Sequence, residues 1–260
     1  MIYANKGYIG CFEMTDKASG KRQLQAYIRQ LKDAGHKRII APINGDTWHP
    51  YRLVSWSNGD PAFPLEPQNP LWYNEVYEEL GFKPLAKYRS DKFNMDNIKP
   101  IENNDAALTI RGFQEDDLRL IYDISIHGFD ENFLYTEITF EEYNKLYQPV
   151  LQMMDRELVV IAELDGVPVG FVFSFIANNT LILKTMSVLP EFRSRGVGAK
   201  LINHVLLAGQ RKDAKTAIAA MMSDGNHSMK IVSKYGSEQI REYTLFHLCE
   251  EVSESVLEKV

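Results

Sequence analysis

Cysteine is nearly absent: Cys11 and Cys249 are the two in 260 residues, far apart and without the spacing of a metal knuckle. That argues against a disulfide framework and for a reduced, cytoplasmic setting. Histidine is also sparse, and His36, His49, His127, His204, His227 and His247 form no pair at ligand spacing, so no metal is expected. Long apolar runs are missing as well. The longest, Val167 to Ala177, is about half the ~20 residues of a membrane helix and contains Pro168 and Gly170. Met1 to Lys6 has no charged start ahead of an apolar stretch, so neither a signal peptide nor a membrane partner is expected. Basic excess is absent too: 29 Lys and Arg face 35 Asp and Glu, a formal charge of −6 and a pI near 5.6. Nucleic acid is therefore not expected as a partner.

What is present is a globular composition, 45% hydrophobic and 25% charged, long enough for one large domain or two modest ones. The clearest seam lies between Arg89 and Ala107, where polar residues run without an apolar period. It divides the chain into residues 1–95, a linker at 96–107, and residues 108–260.

In the second part, Leu108 to Phe113 reads as a strand, and Gln114-Glu115-Asp116-Asp117 opens a helix with carboxylates at its positive end. Thr139-Phe140-Glu141-Glu142 fits a capping box that launches a second helix to about Met154. Asp165-Gly166 joins two β-rich runs, Leu158 to Leu164 and Val167 to Ile176, as a hairpin. A strand at Thr180 to Val188, a helix at Gly196 to Gln210, a strand at Lys215 to Met222, a helix at Asn226 to Tyr235 and strand at Glu238 to Leu248 complete a mixed α/β layer fold. The first part reads β-α-β-α-β: a strand at Tyr8 to Met14, helix Lys21 to Ala34, strand Arg38 to Ala41, a long loop Pro42 to Pro70, helix Leu71 to Leu80 and strand Phe82 to Tyr88. That order repeats the second half of the C-terminal part, as a weak internal duplication would.

The stretch with chemistry in it is Ser187-Val188-Leu189-Pro190-Glu191-Phe192-Arg193-Ser194-Arg195-Gly196-Val197-Gly198-Ala199-Lys200-Leu201. A strand runs into a turn, and R-x-x-G-x-G opens an amphipathic helix. Free N–H groups at a helix start, with the helix dipole behind them, suit a pyrophosphate. Gly196 and Gly198 let the backbone approach it, and Arg193 and Arg195 add charge. Two glycines near a helix start are, on their own, more often a tight turn.

Together with the element order, these residues resemble motif A of the GNAT (general N-acetyltransferase) superfamily over 108–248. The resemblance implies a mixed-sheet GNAT acyl-CoA N-acyltransferase fold, with acetyl-CoA as co-substrate. It implies that the amides of Arg193, Ser194, Arg195, Gly196, Val197, Gly198 and Ala199 wrap the pyrophosphate. Met186 and Val188 would receive the pantetheine arm on their backbone, with the Met186 N–H polarising the thioester carbonyl. Asn226 matches the family's second signature, but Val232 stands where its tyrosine belongs and Ser237 replaces its phenylalanine. Tyr235, on roughly the same helix face, is the substitute candidate for general acid, against a plain helix-end tyrosine. The first part shows the reverse: Tyr77 to Phe82 matches the Tyr-x-x-x-Gly-Phe ending, yet no pyrophosphate loop precedes it. It reads as a partial GNAT-like half with a structural or substrate-shaping role.

The segment His127 to Thr139, which lines the acceptor side in this superfamily, carries Asp130, Glu131, Tyr135 and Glu137. An acidic wall favours a cationic amine, and Glu137 is the candidate base; a solvated loop is the bland alternative. Trp48 and Tyr51 in the long N-terminal loop either close over an acceptor or seal an apolar face. The expected function is acetyl transfer to the amine of a small molecule or amino-acid derivative. A longer acyl group and a non-catalytic acyl-CoA-binding or sensing protein are the alternatives, and association into a homodimer stays open.

Overall fold

The computed structural model describes residues 1–96, 98–102, 105–151 and 154–249. Its first half comprises β1 (Ile2–Tyr3), β2 (Tyr8–Ile9), α1 (Lys17–Asp33), β3 (Arg38–Ala41), β4 (Leu53–Ser57), α2 (Trp72–Glu79) and β5 (Lys83–Asn94). The second half comprises β6 (Leu108–Gly112), α3 (Leu118–Gly128), α4 (Phe140–Leu151), β7 (Val159–Leu164), β8 (Val167–Ala177), β9 (Thr180–Val188), α5 (Val197–Arg211), β10 (Thr216–Ser223), α6 (His227–Val232) and β11 (Glu238–Cys249).

Two compact units form. The first takes Met1–Ser57, Glu66–Tyr88 and the chain from Glu242; the second takes Asn58–Leu65 and Arg89–Arg241. In the first unit the strand order is β1-β2-β3-β11-β5, with β4 also on β11. Strand β11 runs antiparallel to β3, Phe246 opposite Ala41 and Leu248 opposite Ile39. Helix α1 starts where the Asp16 carboxylate accepts from the Ser19 N–H and buries Leu24, Ile28 and Leu31 at helical spacing. From α2, Tyr77 stacks on Phe246 with ring centroids 5.4 Å apart.

In the second unit the order is β5-β10-β9-β8-β7-β6. The β6–β7, β7–β8 and β8–β9 pairs are antiparallel and β9–β10 is parallel. One core fills the α5 side, including Leu181, Leu183, Val188, Val197, Leu201, Val205, Ala217 and Ala219. Helix α5 is held by the amphipathic stripe its sequence shows, so burial rather than propensity stabilises it.

Three readings of the first part need correction. The strand at Tyr8 to Met14 shrinks to β2, because side chains satisfy the backbone that follows: Asn44 Oδ1 accepts from Cys11 N and the Tyr73 hydroxyl accepts from Met14 N. The loop Pro42 to Pro70 contains β4, whose Val54 amide is fastened by Asn69. The polar stretch after Arg89 is not loop throughout: β5 continues to Asn94, with Ser90, Asp91, Phe93 and Met95 buried. Its charges are neutralised locally, Asp91 by Arg89 at 2.6 Å and Lys92 by Asp60 at 3.0 Å, while Phe93 and Met95 join the core. In addition, strand β11 is shared, its last residues belonging to the first unit.

Candidate active site

Strands β9 and β10 pair in parallel from Thr180–Thr216 to Leu183–Ala219, and there the ladder ends although they continue to Val188 and Ser223. On its other side β9 stays paired with β8 through Val188, with Lys184 as an extra residue between Leu183 and Thr185. A bulge of this kind bends the strand that carries it. The edge of β9 from Thr185 to Val188 thus leaves the β10 ladder, where an extended ligand could run alongside it.

Beyond Val188 the chain makes a tight 3-10 turn, Pro190–Arg195, and reaches Gly196 with φ of 76° before α5 begins. A left-handed residue there favours glycine. Helix α5 has no side-chain cap at its start, so no side chain occupies the first-turn amides of Val197, Gly198 and Ala199 at the positive end of the dipole. A methyl on Gly198 would rest 3.5 Å from Ile231 Cδ1 and from Met186 Cε, ordinary contact. Packing within the protein therefore does not require glycine at this position.

The structure brings Met186, Val188, the turn and the start of α5 together, with Met186 half-buried against Gly198 and Val188 and Val197 in the core. The Ser194 side chain lies outside the described residues. Arg195 is exposed, its guanidinium 5.8 Å from the Phe192 ring. The charge of Arg193 is used differently from the sequence expectation. Its guanidinium donates to Val188 O at 3.2 Å, to Gly128 O at 2.8 Å and to Glu131 at 2.8 Å. It latches the end of α3 to the turn, because the fork of donors matches carbonyls that the close α3–β9 packing presents. Asn226 caps α6, its side-chain oxygen accepting from Ser228 N and Oγ. Tyr235 stacks on Phe93 at 5.3 Å and bonds to Asn203; burial raises its pKa while that bond lowers it. Neither contact belongs to the turn or to β9. Val232, in place of the motif tyrosine, is fully buried in the core.

Beside α3, a hollow of about 380 Å³ is lined by Arg119, Tyr122, Asp123, Ile126, His127, Asp130, Tyr135 and Glu137. The expected Asp130, Tyr135 and Glu137 meet there, while Glu131 turns to Arg193. Burial, with Glu137, Tyr122 and Asp130 adding to it, pushes the Tyr135 hydroxyl up to about 12. From the outward face of α3, Arg119 and Asp123 were not anticipated; their i, i+4 spacing to each other and to His127 was the available signal. Arg119 pairs with Asp123 at 3.0 Å, leaving Asp130 and Glu137 to set the sign of the hollow.

With this geometry in place, the comparisons with known proteins are informative. The model of the acetyltransferase (GNAT) family matches residues 129–236. An uncharacterized N-acetyltransferase of Archaeoglobus fulgidus is 34% identical over 109 residues, covering 39% of this chain and 71% of that protein. The chain belongs to the GNAT acetyltransferase family. As a member it is an acyl-CoA-dependent N-acetyltransferase, and the mixed α/β sheet is the GNAT fold. A GCN5-related N-acetyltransferase from Sphaerobacter thermophilus superposes with a TM-score of 0.63 at 15% identity, over 88% of this chain and 66% of that one. A tandem GNAT protein from the clavulanic acid biosynthesis pathway gives 0.54 at 13% identity, over 88% of this chain and 69% of that one. At those identities the likeness concerns the fold. The GNAT family uses acetyl-CoA, and the uncapped helix start, the left-handed Gly196 and the glycine at 198 that packing does not demand fit a pyrophosphate at this turn. No helix among the described residues is long and apolar enough to cross a membrane, and no cluster of three or more His, Cys, Asp or Glu among them could hold a metal.

Proposed function

We propose that this GNAT protein transfers the acetyl group of acetyl-CoA to the amine of a small cationic molecule, such as an amino-acid derivative, in the cytoplasm. The observation that carries the acceptor class is the hollow beside α3, whose excess charge among the described residues is negative through Asp130 and Glu137. Its wall is joined to the cofactor turn by the Arg193 latch on Gly128 and Glu131. In this reading the amides of 193–199 hold the pyrophosphate and the freed edge of β9 at Met186 and Val188 aligns the pantetheine arm. The Met186 N–H stabilises negative charge on the thioester carbonyl oxygen as the amine attacks. Glu137 removes the proton that the ammonium must lose before attack, and Tyr235 returns one to the departing thiolate. Residues 1–95 are read as a partial GNAT-like half with a structural or substrate-shaping role; the likeness in fold to a tandem GNAT protein supports the GNAT-like half.

A second reading is the same transfer to another class of amine, since the buried Val232 in place of the family's tyrosine sets this site apart from the family's usual one. One experiment separates the two. Acetyl-CoA is titrated calorimetrically into wild type and Gly198→Trp, and free thiol release is then followed with a panel of diamines and amino-acid amides. Micromolar binding, roughly −8 kcal/mol, that disappears in Gly198→Trp, with thiol released only when an amine is present, is the expected result. Binding without thiol release by this panel would overturn the small cationic amine as acceptor.

A further inference from the structure

The place where β9 and β10 part is marked by a defect in each strand. On β9 the extra residue is Lys184, and the core-facing pattern steps from Leu181 and Leu183 to Met186 and Val188. On β10, Met221 has φ of 53° in the middle of a strand, and the core-facing pattern steps from Ala217 and Ala219 to Met222. Each strand thus gains one residue at the same level, just past the last paired residues, Leu183 and Ala219. Matched defects keep both strands facing α5 after they separate. A single defect would turn one strand's apolar residues away from the core.

The two defects are supported differently. That of β9 is absorbed against β8, which resumes pairing at Thr185. That of β10 places a buried, non-glycine residue in the left-handed region, a conformation that persists only where the surroundings hold it. The hold comes from β5: the Ser90 hydroxyl accepts from the Met221 N–H at 2.9 Å, and Ser90 is fully buried.

We propose that Ser90 is a positioning residue for acyl-CoA binding: its hydroxyl fastens the kink at Met221 and so keeps the second wall of the pantetheine slot apart from β9. The inference rests on the reading that the pantetheine arm lies at the freed edge of β9. Ser90 need not touch the ligand, and its effect passes through the backbone of Met221.

The test titrates CoA calorimetrically into wild type, Ser90→Ala, Met221→Val and the double variant Ser90→Ala/Met221→Gly, with a denaturation curve for each. Loss of one anchoring hydrogen bond is expected to weaken CoA binding about tenfold in Ser90→Ala. Met221→Val should weaken it similarly with Ser90 intact, because a β-branched residue resists a positive φ. Glycine takes that φ freely, so the double variant should bind within about twofold of wild type although it has lost a buried side chain. General destabilisation would give the opposite order, with the double variant worst. CoA binding by Ser90→Ala and Met221→Val at wild-type strength, or a double variant no better than Ser90→Ala, would overturn the proposal; should Ser90→Ala not fold, Met221→Val decides alone. Wild-type CoA binding that is absent, or that survives Gly198→Trp, would instead overturn the cofactor-site reading and this proposal with it.

Discussion

Replacing Gly198 with alanine separates folding from binding, because the two effects are expected to have opposite signs. The added methyl meets Ile231 Cδ1 and Met186 Cε at 3.5 Å and Met186 Sδ at 3.6 Å, so it fits without displacing anything. Gly198 is in the first turn of α5, and alanine there removes conformational freedom from the unfolded chain. A gain of ~0.5 kcal/mol follows, raising the melting temperature by about 1–2 °C. The same methyl would stand between the helix start and a pyrophosphate. Overpacking at a fitted contact costs ~1–3 kcal/mol, which corresponds to roughly 5- to 150-fold weaker acetyl-CoA binding. Calorimetric titration and a thermal melt on one preparation read both quantities. A variant that is stabilised yet binds acetyl-CoA as wild type does would refute the claim that the backbone at Gly198 approaches the phosphates.

Arg193→Ala is expected to cost ~2 kcal/mol in urea unfolding, from the lost bonds to Gly128 O and Val188 O, and Arg193→Lys should recover little because an ammonium lacks the fork. Equal stability of Arg193→Ala and wild type would show that the latch carries no load. Glu137→Gln should lower kcat by about 10²-fold with a smaller change in acceptor KM if Glu137 is the base; a change in KM alone would make it a binding residue. Tyr235→Phe keeps the stack on Phe93 and loses only the hydroxyl, so a fall in kcat with unchanged stability would identify it as the acid. Unchanged kcat would mark it as structural. His204 is half-buried, and burial, followed by Arg211, lowers its pKa from 6.5, so the unfolded chain takes up the proton first. The stability due to neutral His204 is therefore complete above about pH 6.5 and lost as pH falls below it. Urea midpoints of His204→Gln should depend less on pH between 7 and 5 than those of wild type.

The order of elements from Leu108 onward was legible because each carries its own local signal. The alternation of Thr180 to Val188, the Asp165-Gly166 turn with φ of 51° and 77°, and the apolar stripe of α5 act within a few residues of themselves. The turn at Gly196 was legible for the same reason, since a left-handed glycine before a helix is a local device. What escaped depended on partners distant in sequence. The polar run after Arg89 looks like a linker until Ser90 meets Met221 and Asp91 meets Ser237, 131 and 146 residues away. The reach of Arg193 to Gly128 and Glu131, 65 and 62 residues back, was equally hidden.

By itself, then, the sequence determined the GNAT element order and the glycine turn at which a pyrophosphate is proposed, because hydrophobic period, turn chemistry and helix starts are encoded residue by residue. Only the tertiary structure decided which side chains are spent on holding the backbone and which are left for chemistry. Arg193, Asn226 and Tyr235 all have the right functional groups for a reaction. Whether a guanidinium, a carboxamide or a phenol is free depends on the carbonyls and rings that long-range packing brings within ~3–5 Å of it, and no local pattern records those neighbours.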